Sequence, residues 1–401
     1  MVIDDQRFEF ARYVAGQVET ILGGTGLGGA RYDPDEFALY VGDDWILYLH
    51  NLFRETAALP SGERDARVTR FVRAVLDSGA EASEWEQVRA LLRPILRSVT
   101  YGLGAPEATE FLSRPAFPFI DELVAIDRPH SRSIVTRSEA AAWGVCADEI
   151  FARARRNLAM LGQPEPMEPH TVARFVDDGD SYFTSRLVGA NWLAAFAVDG
   201  VRPVAFIPDV DTLIIAPDDP EILETLFGMA EQQYREATRP LSPQGYTLDA
   251  QGAVVPFDRA GPHPQLPVSR RAGSGLAISE YRAQAEWLQS LLDDDLDDEP
   301  LGLRPAYVAT PMLHDGATGP ATVTIWGKDV EYLLPESDYV AFCDMDSRGE
   351  PYVLFTVPFA DVVDIVGLKS VPDLAPPRYE ARQWPDDAML SALGRAAVSL
   401  E

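Results

Sequence analysis

The chain has 401 residues, 46% of them hydrophobic, with 34 basic and 63 acidic side chains and a net charge of −29. That length suits two or three domains with sizeable cores and excludes a globally disordered chain. The acidity repels phosphate backbones, so no direct nucleic-acid binding is expected; it gives solubility or an acidic face for a basic protein partner. Arginine is used almost to the exclusion of lysine, Lys328 and Lys369 being the two exceptions, a bias that fits a GC-rich bacterial genome. No apolar run approaches the roughly 20 residues of a membrane span. The opening "MVIDDQRFEF" has no signal-peptide pattern. Cys146 and Cys343 lie too far apart for a disulfide framework or an ordinary zinc site. A cytoplasmic protein without membrane contact is the expectation.

In chain order, "DDQRFEFARYVAGQVETIL" places Phe8, Phe10, Val14, Val18 and Ile21 at helical spacing. Gly24-Thr25-Gly26-Leu27-Gly28-Gly29 then matches the dinucleotide-binding pattern G-x-G-x-x-G. That loop needs a strand before it and a helix after it. Here a helix precedes, and Phe37, Leu39 and Val41, then Trp45, Leu47 and Leu49, alternate as a hairpin about Gly42-Asp43-Asp44. The glycines therefore read as a helix cap and turn, and no cofactor is expected.

"RDARVTRFVRAVLDSG" predicts a helix, and "SEWEQVRALLRPILRSV" another, broken at Pro94. "DELVAID" and "RSIVTR" read as strands. Thr136 or Ser138 caps a helical run interrupted at Gly144. "HTVARFVDD" and "YFTSRLV" read as strands about Asp178-Gly179-Asp180, and "NWLAAFAVDG" as a helix ending at Gly200. "VRPVAFIPDVDTLIIAPDD" gives two strands, "DPEILETLFGMAEQQYREA" an amphipathic helix and "GYTLDAQGAVVPF" a hairpin. Residues 258–278 are rich in Pro, Gly and Arg without periodicity and read as a linker. After them come a helix, the acidic run at residues 293–299 and several strands with short turns. The fold class expected is α+β, with mixed, largely antiparallel sheets, packed helices and a smaller β-rich C-terminal domain. The domains would be 1–257, which the turn signals allow to be read as two subdomains (about 1–105 and 106–257), the linker 258–278, and 279–401.

An ordered set of segments resembles the uncharacterised bacterial YtpQ-like family, domain of unknown function 1444. They are "DPDEFALYV", "WILYLHNLFRE", "LLRPILRS", "FIDELVAIDRPHSRSIVTRSEAAAWGV" with "ARRNL", "DGDSYFTSRLV" and "PVAFIPDVDTLIIA". The resemblance covers residues 1–257 and departs at Val210, where a charged residue commonly stands in the family. It implies a fold and no activity, because the family has no established one. Residues from about 258 onward have no counterpart there.

Candidate chemistry concentrates before and after the middle strands. Asp178, Asp180, Asp209 and Asp211 form two Asp-x-Asp pairs that could converge on Mg²⁺ or Mn²⁺ and support phosphoester hydrolysis. They could equally cap turns. Arg186 could grip an anion, but the local acid density favours an ion pair with Asp209 or Asp211. Ser185 lacks a nucleophile-elbow context. His50, His130, His170, His263 and His314 form no metal-binding motif, and the acidic run fails the calcium-loop pattern at Asp298 and Arg304. Cys146 and Cys343 read as packed residues, and Trp326 and Trp384 as core anchors. The function expected is therefore a non-catalytic protein-binding or regulatory module without metal. A metal-dependent phosphoester hydrolase using the four aspartates with Arg186 is the alternative.

Overall fold

The computed structural model describes residues 2–22, 30–34, 37–41, 45–57, 59–78, 84–104, 110–128, 132–162, 171–177, 181–197, 200–294, 303–317 and 319–400. Two compact units divide the chain: Met1–Arg93 with Val124–Asn157, and Pro94–Leu123 with Leu158–Glu401. The class is α+β, with several antiparallel sheets and packed helices. Among the described residues, no helix is long and apolar enough to cross a membrane.

In the first unit, α1 (Val2–Leu22) precedes the antiparallel strands β1 (Arg31–Asp33), β2 (Ala38–Val41) and β3 (Trp45–Tyr48), followed by α2 (His50–Thr56), α3 (Ser61–Ser78) and α4 (Trp85–Val88). Val14 and Val18 of α1, Leu39 and Val41 of β2, Leu47 of β3 and Val68 and Val72 of α3 form one core. These are the positions that the 3.6-residue and two-residue periodicities single out. The glycine stretch 24–29 and the turn 42–44 lie outside the described residues. The elements flanking the glycines are a helix before and strands after, as expected.

The helix expected through Leu91 and Leu92 is a correction. Helix α4 stops at Val88, and β4 (Leu92–Ser98) runs through Pro94. A proline disfavours helical geometry at the residue before it, and Leu92, Ile95 and Leu96 are buried. Strands β5 (Ser113–Phe117), β6 (Ile120–Asp127) and β7 (Arg132–Ile134) precede α5 (Arg137–Ala142) and α6 (Ala147–Ala159). Thr136 caps α5 in a reciprocal box: its hydroxyl accepts from Glu139 N–H, and the Glu139 carboxylate accepts from Thr136 N–H. Gly144, at φ 65°, makes the break between the two helices. Cys146 is exposed in that break rather than packed in a helix.

In the second unit, β8 (Ala173–Val176), β9 (Pro203–Phe206), β10 (Thr212–Pro217), β11 (Gly245–Leu248) and β12 (Val254–Pro256) form an antiparallel sheet in the order β12-β11-β9-β10-β8. Its central strands are buried on both faces. Ala205, Leu213 and Ile215 pack against Leu187, Trp192 and Leu193. Val204, Phe206, Ile214 and Ala216 pack against Leu223, Leu226 and Phe227 of α7 (Pro220–Glu236). The near-continuous apolar runs in these strands follow from that double burial. "YFTSRLV", expected as a strand, holds the 3-10 turn Thr184–Val188, and the expected helix in "NWLAAFAVDG" is only the 3-10 turn Leu193–Phe196. Both turns lie over the apolar face that Leu213 and Ile215 present.

The stretch read as a linker is a short 3-10 turn, Phe257–Arg259, followed by the first turns of the long helix α8 (Leu266–Asp294). Beyond it come β13 (Tyr307–Val308), β14 (Met312–Gly316), β15 (Gly319–Gly327), β16 (Tyr332–Pro335), β17 (Tyr339–Met345), β18 (Pro351–Pro358), α9 (Phe359–Val366), β19 (Lys369–Ser370), β20 (Arg378–Ala381) and α10 (Asp387–Arg395). The strands make two four-stranded sheets, β13-β16-β20-β19 and β14-β15-β17-β18. Two pairings, β13 with β16 and β15 with β17, are parallel and the other four antiparallel, which fits the mixed, largely antiparallel sheets expected. Trp326 is fully buried here with Phe342, and Trp384 packs against both, so the two tryptophans anchor the core as expected. Cys343 packs in β17, where burial pushes its thiol pKa up.

Candidate functional site

The aspartates of the second unit are the first place to look for chemistry. Asp209 lies in the connection from β9 to β10. One carboxylate oxygen accepts N–H bonds from Asp211 (2.8 Å) and Thr212 (2.7 Å). The other accepts from Gln233 Nε2 (2.7 Å), which reaches across from α7 and also donates to Thr212 Oγ1 (3.0 Å). The carboxylate thus starts β10 and ties it to α7. Asp211 instead meets Arg239 Nη2 at 2.6 Å, with 44% of its own side chain and 48% of the arginine's exposed.

The Asp211 carboxyl titrates above the ordinary range. Desolvation is the larger cause; Arg239 opposes it, and the charges of Asp209 and Asp177 add to it. Asp177 is the third carboxylate of this neighbourhood. It accepts N–H bonds from Ser181 (3.0 Å) and Tyr182, and its own N–H donates to the Asp211 carbonyl at 2.7 Å. Tyr182 adopts a left-handed φ of 54° beneath it. Asp178 and Asp180 lie outside the described residues. Among the described residues, no group of three or more His, Cys, Asp or Glu side chains is placed to hold a metal ion.

Arg186 sits in the 3-10 turn, 9% exposed. The ion pair expected with Asp209 or Asp211 does not form. Its Nε donates to the Ser181 carbonyl (3.0 Å) and its Nη1 to the Gly162 carbonyl (3.1 Å). The guanidinium lies 5.5 Å from the Phe183 ring centre and 5.8 Å from that of Trp192. Burial lowers its pKa and Asp177 works against that shift. The physical reason is competition: backbone N–H groups and Gln233 saturate Asp209, and Asp211 faces Arg239. Among the histidines, His263 Nε2 lies 3.1 Å from Asp218 Oδ1, and its Nδ1 accepts the Gln265 N–H. His314 meets the Leu400 carbonyl.

The first unit holds a cleft away from these aspartates. In the first unit, α1, α2 and α3 enclose an open cleft of about 680 Å³. Phe10, Tyr13, Phe53 and Ala57 supply apolar wall, Thr56 a buried hydroxyl, and Gln6, Glu9, Ser61, Arg64 and Asp65 polar rim. The Tyr13 hydroxyl donates to the Asp65 carboxylate, and desolvation with that hydrogen bond pushes the phenol up to about 12. Arg64 is held on the carbonyls of Thr56 (3.2 Å) and Ala57 (3.4 Å), and Glu9 pairs with Arg12 at 2.7 Å. None of these residues stands out in the sequence as chemistry. Their signal is spacing: positions 6, 9, 10 and 13, then 53, 56 and 57, then 61, 64 and 65 each share a helical face beside the core stripe. No protein-family model matches the chain, and no curated protein and no solved structure does so either.

Proposed function

We propose that this chain is a non-catalytic protein-binding module whose cleft between α1, α2 and α3 takes the apolar face of a basic helix from a partner protein. The cleft is the observation that carries this reading. Its volume lies within the roughly 300–1,000 Å³ of ordinary ligand sites. Its aromatic wall with a few fixed polar groups suits two or three anchoring side chains at helical spacing. Arg64, the basic residue of the lining, is engaged by carbonyls of the chain itself. Glu9 and Asp65 on the rim, with a net charge of −29, favour a cationic partner. The resemblance of residues 1–257 to the YtpQ-like family is compatible with this proposal, since that family supplies no reaction to account for.

The test is fluorescence anisotropy with a labelled amphipathic helix built of leucine and lysine, against the same helix with glutamate for lysine. The lysine helix should bind saturably and lose affinity as salt rises. Ala57→Arg, an exposed position on the cleft wall, should abolish binding while leaving the melting temperature unchanged. Equal binding of both helices, or indifference to Ala57→Arg, would refute the reading. Hydrolysis of a phosphoester that needs Mg²⁺ or Mn²⁺ and disappears in Asp209→Asn would establish instead the enzyme alternative through Asp178, Asp180, Asp209 and Asp211.

A further inference from the structure

Helix α10 ends at Arg395, and the residues after it run onto the β14-β15-β17-β18 sheet. Val398 N–H donates to the Thr356 carbonyl of β18 (2.9 Å) in an isolated antiparallel bridge. Two residues on, the Leu400 carbonyl accepts from His314 Nε2 of β14 (3.0 Å) and lies over Gly316 of the same strand, where a Cβ would collide with it. Strands β14 and β18 are the two ends of that sheet. Three residues span at most about 10 Å, so the sheet curls until one short segment touches both its ends.

This seat recognises main chain. The Thr356 carbonyl and His314 Nε2 meet an N–H and a C=O two residues apart, groups that any extended chain presents. Gly316 has no positive φ that calls for glycine; the close approach of the Leu400 carbonyl is what keeps the position bare. The seat is also built apart from its occupant. Asp315 of β14 meets Arg271 of α8 at 2.6 Å, and Thr356 pairs with Ala341 of β17. The occupant itself buries little: Ala397, Val398 and Ser399 are exposed, and Leu400 is partly covered. A segment with so little apolar burial opens at low free-energy cost.

We infer that residues 397–400 are a releasable strap in a strand-binding slot, and that the open slot takes an extended, uncharged peptide segment of a partner protein. The strap shows the chemistry of that ligand. Ala397-Val398-Ser399-Leu400 carries no charge, and an apolar residue stands where the carbonyl meets Gly316. The contact in cis is autoinhibitory, because the tethered strap competes at high effective concentration and the partner binds only the open fraction. The slot belongs to the second unit and the cleft to the first, so each binding reading stands or falls without the other.

Val398→Pro in the full chain removes the N–H that Thr356 accepts and frees the slot. Fluorescence anisotropy then uses a labelled, end-blocked peptide of residues 396–400, AAVSL. It should bind Val398→Pro saturably and wild type about tenfold more weakly, or less still. It should not bind the double variant Val398→Pro/Gly316→Ala, whose new Cβ fills the seat of the carbonyl. The same peptide with N-methylvaline in place of valine lacks the N–H and should not bind Val398→Pro. Equal affinity for wild type and Val398→Pro, binding of the N-methyl peptide, or no binding to a folded Val398→Pro chain overturns the inference. Hydrogen exchange on the wild-type chain supplies a check that needs no variant. The Val398 amide should exchange about a hundredfold sooner than the paired amides of β17. Equal protection would make residues 397–400 a fixed part of the sheet and overturn the inference as well.

Discussion

Two buried arginines, Arg186 and Arg378, show how single residues hold this protein through hydrogen bonds to carbonyl oxygens rather than through direct ion pairs. Arg378 is fully buried in β20, and burial pulls its pKa down to about 10, with Tyr281 opposing. Its guanidinium is satisfied by Gln284 Oε1 (2.6 Å) and the carbonyls of Ala309 (2.6 Å), Tyr281 (2.9 Å) and Leu333 (3.0 Å). Arg378→Met should cost about 3–5 kcal/mol in denaturant unfolding, because it removes four buried charge-assisted hydrogen bonds at once. Arg186→Ala should cost about 2–3 kcal/mol for two charge-assisted bonds. Glu280 adds a pH dependence. It is 6% exposed, and its carboxylate accepts from Thr100 N–H and Thr100 Oγ1. Burial raises its pKa above the ordinary 4.5, with the Thr100 and Ser98 hydrogen bonds opposing. The folded state therefore holds this proton more tightly than the unfolded one, and stability from this group falls as pH climbs from about 4.5 through the folded pKa. Glu280→Gln should gain stability relative to wild type at about pH 8 and lose that advantage at about pH 4. An equal difference at both pH values would refute this.

Helix α8 is the element that joins the five-stranded sheet to the C-terminal sheets. Ala272 packs against the α7 side of the first, Tyr281 and Gln284 hold Arg378, and Leu288 and Leu292 pack with Val308 and Leu333. Its glycines divide into two kinds. A Cβ on Gly273 would stand 3.2 Å from Gln244 Nε2, and Gln244 is itself held by Ser269 and Asp258. A Cβ on Gly275 would meet nothing within 4 Å. Gly275→Ala should therefore stabilise the chain by about 0.5–1 kcal/mol, the ordinary helix-propensity gain. Gly273→Ala should forfeit most of that gain against Gln244. Thermal melts of the two single variants, side by side, check it. At the other kind of helix end, Asp219 caps α7 by accepting from Glu221 and Ile222 N–H, so Asp219→Ala should cost about 1 kcal/mol.

For the molecule as a whole, charge sets the response to solution conditions. With −29 spread over one chain, like-charge repulsion destabilises the compact state and is screened by salt. The melting temperature should rise as ionic strength goes from low to physiological. A flat or falling response would mean that the exposed ion pairs, such as Arg239–Asp211 and Arg271–Asp315, outweigh the excess acids. The same salt series should weaken capture of a lysine-rich helix by the cleft.

What local patterning could settle was the position of faces and ends. The apolar stripes of α1, α3 and α7 are plain in the sequence, as are a capping signal at Thr136 or Ser138, the break at Gly144 and the hairpin of β11 and β12, because spacing and capping chemistry act within a few residues. What it could not settle was competition between distant groups. Residues 258–278 look like a linker by composition, yet Ala272 and Leu276 find buried seats that hold Leu266–Gly275 in a helix despite two glycines. "YFTSRLV" alternates like a strand, yet Leu187, with Trp192 and Leu193 just beyond, is drawn over the face of β10, and the backbone tightens into 3-10 turns. Asp209 and Asp211 are conspicuous as acids, but their roles depended on whether Gln233, Arg239 or Arg186 reached them first. The cleft of α1, α2 and α3 belongs wholly to the tertiary structure. A cleft is defined by which elements fail to meet, and no short window of sequence encodes that.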